Sequence, residues 1–186
     1  MARLKLTEQE QLLLQRMTFS GGRAIATTAD KEDELLREYG ITQKRFKSLC
    51  REKYLVREKQ PDGSMDVVFG SKGKYYAQSN YTEKLVTSAS VHHDRGLYQA
   101  VCNLSKTELD SAMSAREYYT EINQNVTKTD TPDLIYRSDS SDEYEAIEII
   151  TRNYKGEEID RKIEWSRRAG MNINIVDIDG NRGGYY

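Results

Sequence analysis

A chain of 186 residues can bury one good-sized core or two small ones, and the change of residue pattern after about residue 80 favours two. Charged residues make up 31% and hydrophobic ones 37%, and no apolar run approaches a membrane span or a secretion signal, so the expectation is a cytoplasmic protein with no membrane partner. A net charge of −2 excludes nucleic-acid binding by a global field and leaves room only for a local cationic patch.

In chain order, Thr7 and Glu10 have the spacing of a capping box, with Leu12, Leu13, Leu14 and Met17 following at core-facing intervals, which predicts a helix to about Thr18. Gly21 and Gly22 end it. A short helix over Arg23 to Thr27 and another over Glu32 to Tyr39, closed by Gly40, come next. Thr42 then caps a third helix with Phe46, Leu49 and Cys50 on one face and Lys44, Arg45, Lys47 and Arg51 mostly on the other. Leu55, Val56, Met65, Val67 and Val68 read as two strands joined by a turn at Pro61, Asp62 and Gly63.

A basic helix followed by a hairpin predicts a winged helix-turn-helix over residues 1–81. On that reading the helix from Thr42, with Lys44, Arg45, Lys47 and Arg51, enters the major groove of double-stranded DNA while Lys53, Arg57 and Lys59 meet phosphates. Reading of symmetric half-sites makes a homodimer the expected state. The plainer alternative is a solvated basic face, its field diluted by Glu52, Glu58, Asp62 and Asp66.

Beyond the hairpin, Gly70 and Gly73 precede Tyr75 and Tyr76, a turn leading into an edge strand or a helix. Thr82 to Leu109 reads as largely helical with a break near Ser88 to His93, and Val86, Val91, Leu97, Val101, Leu104 and Leu109 as buried positions. Adjacent His92, His93 and Asp94 invite a metal reading, but neighbouring helical positions diverge, so a cap by Asp94 with one histidine packed on a tyrosine is preferred. Glu117 to Ile122, Asp133 to Arg137 and Tyr144 to Thr151 read as strands, the last one central. Gly156 to Gly170 reads as a helix with Ile159, Ile163, Ser166 and Ala169 inward and Arg161, Lys162, Arg167 and Arg168 outward or flanking; Met171 to Asp179 is a final strand, and residues 181–186 a flexible tail. Cys50 and Cys102 lack any ligand or disulfide spacing and are expected as buried thiols. The fold class is therefore α+β or α/β.

The αβββαβ order over residues 82–180, with Pro132-Asp133 opening one strand and Glu148 inside another, resembles the PD-(D/E)xK nuclease-like fold. That resemblance implies Asp133 and Glu148 as a catalytic, metal-holding pair for magnesium or manganese in a metal-dependent nuclease or nickase. The lysine of the pattern is missing, since Ile150 stands in its place; Lys155 or Lys162 would have to supply the charge, and Glu108 a further metal oxygen.

Taken whole, the chain is similar to the replication-relaxation family of plasmids and integrative elements, on Lys72 to Tyr76, His93-Asp94, Pro132-Asp133 and the strand YEAIEIITR. The resemblance implies an accessory protein of a mobile element. It would bind double-stranded DNA at a replication or conjugative-transfer origin and assist a relaxase or replication initiator, without a cofactor of its own. A transcriptional repressor sensing a ligand through the second domain is a further alternative.

Overall fold

A computed structural model describes residues 4–25, 28–82, 85, 90–121, 131–180 and 184–185, which form a mixed α+β protein with eight helices and two small sheets. Two compact units divide it, Met1–Ser88 and Ala89–Tyr186. No helix among the described residues is long and apolar enough to cross a membrane.

The first unit runs α1 (Glu8–Thr18), β1 (Arg23–Ile25), α2 (Ala29–Glu38), α3 (Gln43–Arg51), β2 (Leu55–Lys59), β3 (Met65–Phe69) and α4 (Ser71–Asn80). The capping box starts α1: the Thr7 N–H donates to Glu10 at 2.8 Å and the Glu10 N–H returns to the Thr7 hydroxyl at 3.3 Å. Leu13, Leu14 and Met17 of α1, Leu35 and Leu36 of α2, Phe46 and Leu49 of α3, and Leu55 and Val67 of the sheet are buried. Each contributes on the order of 1.5–3 kcal/mol against exposure.

The sheet is antiparallel in the order β1-β3-β2. A helix was expected over Arg23 to Thr27, yet Arg23, Ala24 and Ile25 form a strand opposite Val68, Val67 and Asp66. Gly21 and Gly22, at φ +69° and +76°, reverse the chain so that it runs alongside β3. A five-residue helix would have had to pay the cost of nucleation for almost no propagation. Ala26 and Thr27 lie outside the described residues.

The first turn of α4 is seated on the turn that follows α3. The Lys53 carbonyl accepts from the Lys72 N–H at 2.9 Å, and a Cβ added at Gly73 would lie 2.0 Å from the Tyr54 carbonyl oxygen. Backbone meets backbone there, so no side chain can swing away. Gly73→Ala is expected to lower the thermal midpoint of the protein, with a loss of roughly 1–3 kcal/mol or more by overpacking; an unchanged midpoint would show that this contact is slack.

The second unit runs α5 (Val91–Cys102), α6 (Lys106–Ser111), α7 (Ala115–Glu121), β4 (Leu134–Arg137), β5 (Tyr144–Ile150), α8 (Gly156–Arg168), β6 (Asn172–Asp177) and β7 (Gly184–Tyr185). Its sheet order is β4-β5-β6-β7, with β4 and β5 an antiparallel hairpin and β5 parallel to β6 across α8. The interior strand β5 is buried from Ala146 to Ile150. Ala115, Tyr118, Ile135, Ala146, Ile150, Met171, Ile173 and Ile175 form the core on one side of the sheet.

The strand expected over Glu117 to Ile122 is instead α7, with Ile122 outside the described residues. Ser114 and Glu117 form a reciprocal cap, at 3.2 Å and 2.8 Å, that starts a helix. Tyr118 then packs edge-on against Tyr144 and Tyr119 against Trp165, at 5.1 and 5.2 Å between ring centres. In place of a third consecutive strand, Met113 makes a single bridge to Ile135. The order is thus three helices, a hairpin, a helix and two strands, not αβββαβ.

The end of the chain also departs from expectation, since Gly184–Tyr185 pair with β6; residues 181–183 and 186 are outside the described set. Both cysteines are free thiols and half-buried rather than buried. Val86 is outside the described residues, and Val91 is half-buried.

Candidate functional site

The α3 helix carries its cations on one stripe. Thr42 is its N-cap, accepting from the Arg45 N–H at 3.2 Å, and Phe46 and Leu49 pin the opposite side into the core. Lys44, Lys47 and Arg51, spaced three and four residues apart, are exposed and make no ion pair among the described residues. They span about 10 Å along the helix, close to the ~12 Å width of a major groove.

Three of the four acids expected to dilute this field are paired with other cations. Arg23 takes Asp66 at 2.6 Å and Glu58 at 3.1 Å, Lys72 takes Glu52 at 2.8 Å, and Asp62 accepts from the Ser64 N–H in the hairpin turn.

Two of the expected DNA-contacting arginines are engaged as well. Arg45 turns toward α1, donating to Glu10 at 2.7 Å and to the Lys5 carbonyl at 2.6 Å. Burial pushes the Glu10 carboxyl up, but the Arg45 guanidinium and the Thr7 amide outweigh it and hold it below its ordinary value. Arg57 grips Glu32 through two hydrogen bonds, at 2.6 and 2.7 Å, and lies 4.8 Å over the Phe46 ring. Lys53, at φ +62°, and Lys59, at the end of β2, are exposed.

The second unit gathers ionisable groups in its interior. Asp133, just before β4, accepts from the Ile149 N–H at 2.9 Å and stands 2.9 Å from His93 Nε2, while its own N–H donates to Glu148 at 3.1 Å. Glu148 is 0% exposed on β5. Lys162, from α8, places its ammonium 2.7 Å from Glu148 Oε1 and donates to the Thr131 carbonyl at 2.8 Å. Ammonium and carboxylate thus form an ion pair inside the unit. Tyr154 adds a side-chain hydrogen bond to Glu148.

Lys162 was expected to point outward or to flank the inner face, yet it is buried. It falls three residues after Ile159 and four before Ser166, inside the helix stripe that faces the sheet. Lys155, the other substitute considered, is exposed at the N-cap of α8, where its N–H donates to Glu158 at 2.8 Å. Glu108 caps α6 through the Ser105 N–H, 2.9 Å, and takes the Asp139 N–H, so it adds nothing to the pair. Ile150 is fully buried in the core and leaves no place for a lysine.

The sequence singled out His93 beside Asp94 but did not join it to Asp133, and Tyr154 went unrecognised. Ser90, not Asp94, caps α5, which turns His93 inward to Asp133. Burial disfavours charge on His93, but Asp133 and Asp94 outweigh it, helped by Glu148, and push its pKa up to about 10. Burial, then the Asp133 charge, raises the Glu148 carboxyl above its ordinary value, and Lys162 pulls it back.

These shifts carry a pH dependence. A histidine whose pKa rises on folding stabilises fully below its unfolded value of about 6.5 and loses that contribution as pH climbs through about 10. A carboxyl raised by folding has the same sign, because its ionisation is disfavoured in the folded state. The second unit is therefore expected to lose roughly 3–5 kcal/mol between neutral and alkaline pH. Thermal midpoints measured across that range check this, and His93→Gln should flatten the profile.

A divalent metal does not fit this donor set as it is arranged. Asp133 and Glu148 already face two cationic side chains, and no group of three or more His, Cys, Asp or Glu among the described residues has metal-holding geometry. Comparison with known proteins found no matching family model, no matching curated protein and no matching solved structure.

Proposed function

We propose that this protein is a sequence-specific double-stranded DNA-binding accessory protein of a mobile element, cytoplasmic and homodimeric, acting at a replication or conjugative-transfer origin beside a relaxase or initiator. The Met1–Ser88 unit is read as a winged helix-turn-helix. Its order of helix, strand, two helices and two strands, with the β1-β3-β2 sheet, supports that reading. The observation that carries the function is the stripe of Lys44, Lys47 and Arg51, exposed on α3 and without an ion pair among the described residues, while Glu52, Glu58 and Asp66 pair with other cations. The mobile-element assignment rests on the short motifs noted in the sequence.

The test is retention of a labelled pool of random duplexes on a gel, followed by repeated selection. Retention with enrichment of one sequence is the expected result, and no retention even at low salt would contradict it.

A metal-dependent nuclease is the second reading, favoured by the meeting of Asp133, Glu148 and Lys162. It stands behind the first because both carboxylates already face internal cations. Nicking of supercoiled plasmid with manganese, lost in Asp133→Asn, would reverse the order.

A further inference from the structure

We infer that the Asp133–Glu148 pair is neutralised by the chain itself, with the His93 and Lys162 side chains standing where a divalent metal would be held, so that this quartet is an internal lock and takes no metal. Four separate segments converge on it: His93 from the first turn of α5, Asp133 from the lead-in to β4, Glu148 from the middle of β5 and Lys162 from α8.

Three of the four carboxylate oxygens are already engaged. Asp133 Oδ2 takes both His93 Nε2 and the Ile149 N–H, each at 2.9 Å, and Glu148 Oε2 takes the Asp133 N–H at 3.1 Å. Glu148 Oε1 faces the ammonium at 2.7 Å. A divalent ion would have to expel both side chains from a site in which those of His93, Lys162 and Glu148 are 8%, 9% and 0% exposed. The expelled groups would then be left without the carboxylates that compensate their burial. The lysine ammonium also anchors the Thr131 carbonyl, so its departure would loosen the lead-in to β4 as well.

The quartet thus ties the hairpin to the helices flanking it, a task that a metal centre performs in other proteins by a different charge. It also accounts for why Ile150 is tolerated: the positive charge comes from the helix, and the strand position is left to the core.

The experiment uses the full chain labelled with 15N on histidine, of which there are two, His92 and His93. The exposed His92 is changed to asparagine in a second sample to assign the signals. The His93 ring is followed by nuclear magnetic resonance in EDTA and then in millimolar Mg2+. The expected result is a His93 Nε2–H signal that is present in EDTA and does not move or vanish with Mg2+. A saturable shift of the His93 ring signals, or loss of the Nε2–H signal on adding Mg2+, would overturn the inference by showing a metal taking the place of the histidine. Absence of the Nε2–H signal in EDTA would overturn it equally, since the lock requires that bond.

Discussion

Replacing Lys162 by methionine should lower the stability of the Ala89–Tyr186 unit by roughly 3–5 kcal/mol, the size expected when one partner of a buried ion pair is removed and the other is left charged in the interior. Glu148 is fully buried, with the Asp133 carboxylate nearby, so its charge has little access to water as compensation. The double change Lys162→Met with Glu148→Leu should recover much of that loss, because neither charge then remains. Denaturant unfolding of the wild-type chain, both single variants and the pair closes the cycle. A cost for Lys162→Met within about 0.5 kcal/mol, typical of a surface substitution, would mean that the ammonium is not held where the structure puts it.

The second large effect concerns DNA. Changing Lys44, Lys47 and Arg51 together to glutamine removes three phosphate-seeking charges from an exposed helix face and should weaken duplex binding by about 10²–10³-fold at ordinary salt. The fold should be untouched, since none of the three makes an ion pair among the described residues. Arg45→Gln is the informative contrast. It leaves Glu10, nearly buried, without the guanidinium that holds it, so the expected loss is in stability and not in DNA affinity. Arg57→Gln belongs with Arg45, because it breaks the grip on Glu32 and the contact with Phe46.

Much of the first unit could be read from residue order, because its signals are local. Thr7 with Glu10 and Thr42 before α3 are caps that act within three residues, and Phe46 and Leu49 mark the inner face of α3 by spacing alone. What escaped was set by distant partners. Whether Arg45 is free depends on Glu10, thirty-five positions away, and β1 exists because β3 offers it a ladder.

The same division holds in the second unit. The acidic pair Asp133 and Glu148 was visible as residues, but its neutralisation by His93 and Lys162 comes from helices whose faces the sequence placed differently. For α7, Glu117 to Ile122 was read as a strand while the Ser114–Glu117 cap was a helix start in plain view. Weighing the local cap above strand propensity would have found it, since strand propensity depends on neighbours that the sequence does not supply.

We propose that the exposed cationic stripe on α3 holds duplex DNA through its phosphates. The most direct measurement is the dependence of duplex affinity on salt concentration, compared between the wild-type chain and the Lys44, Lys47, Arg51 triple variant. The slope of log affinity against log salt is expected to be shallower in the variant by about 3, at about 0.9 per lost phosphate contact. Equal slopes for the two proteins would contradict it.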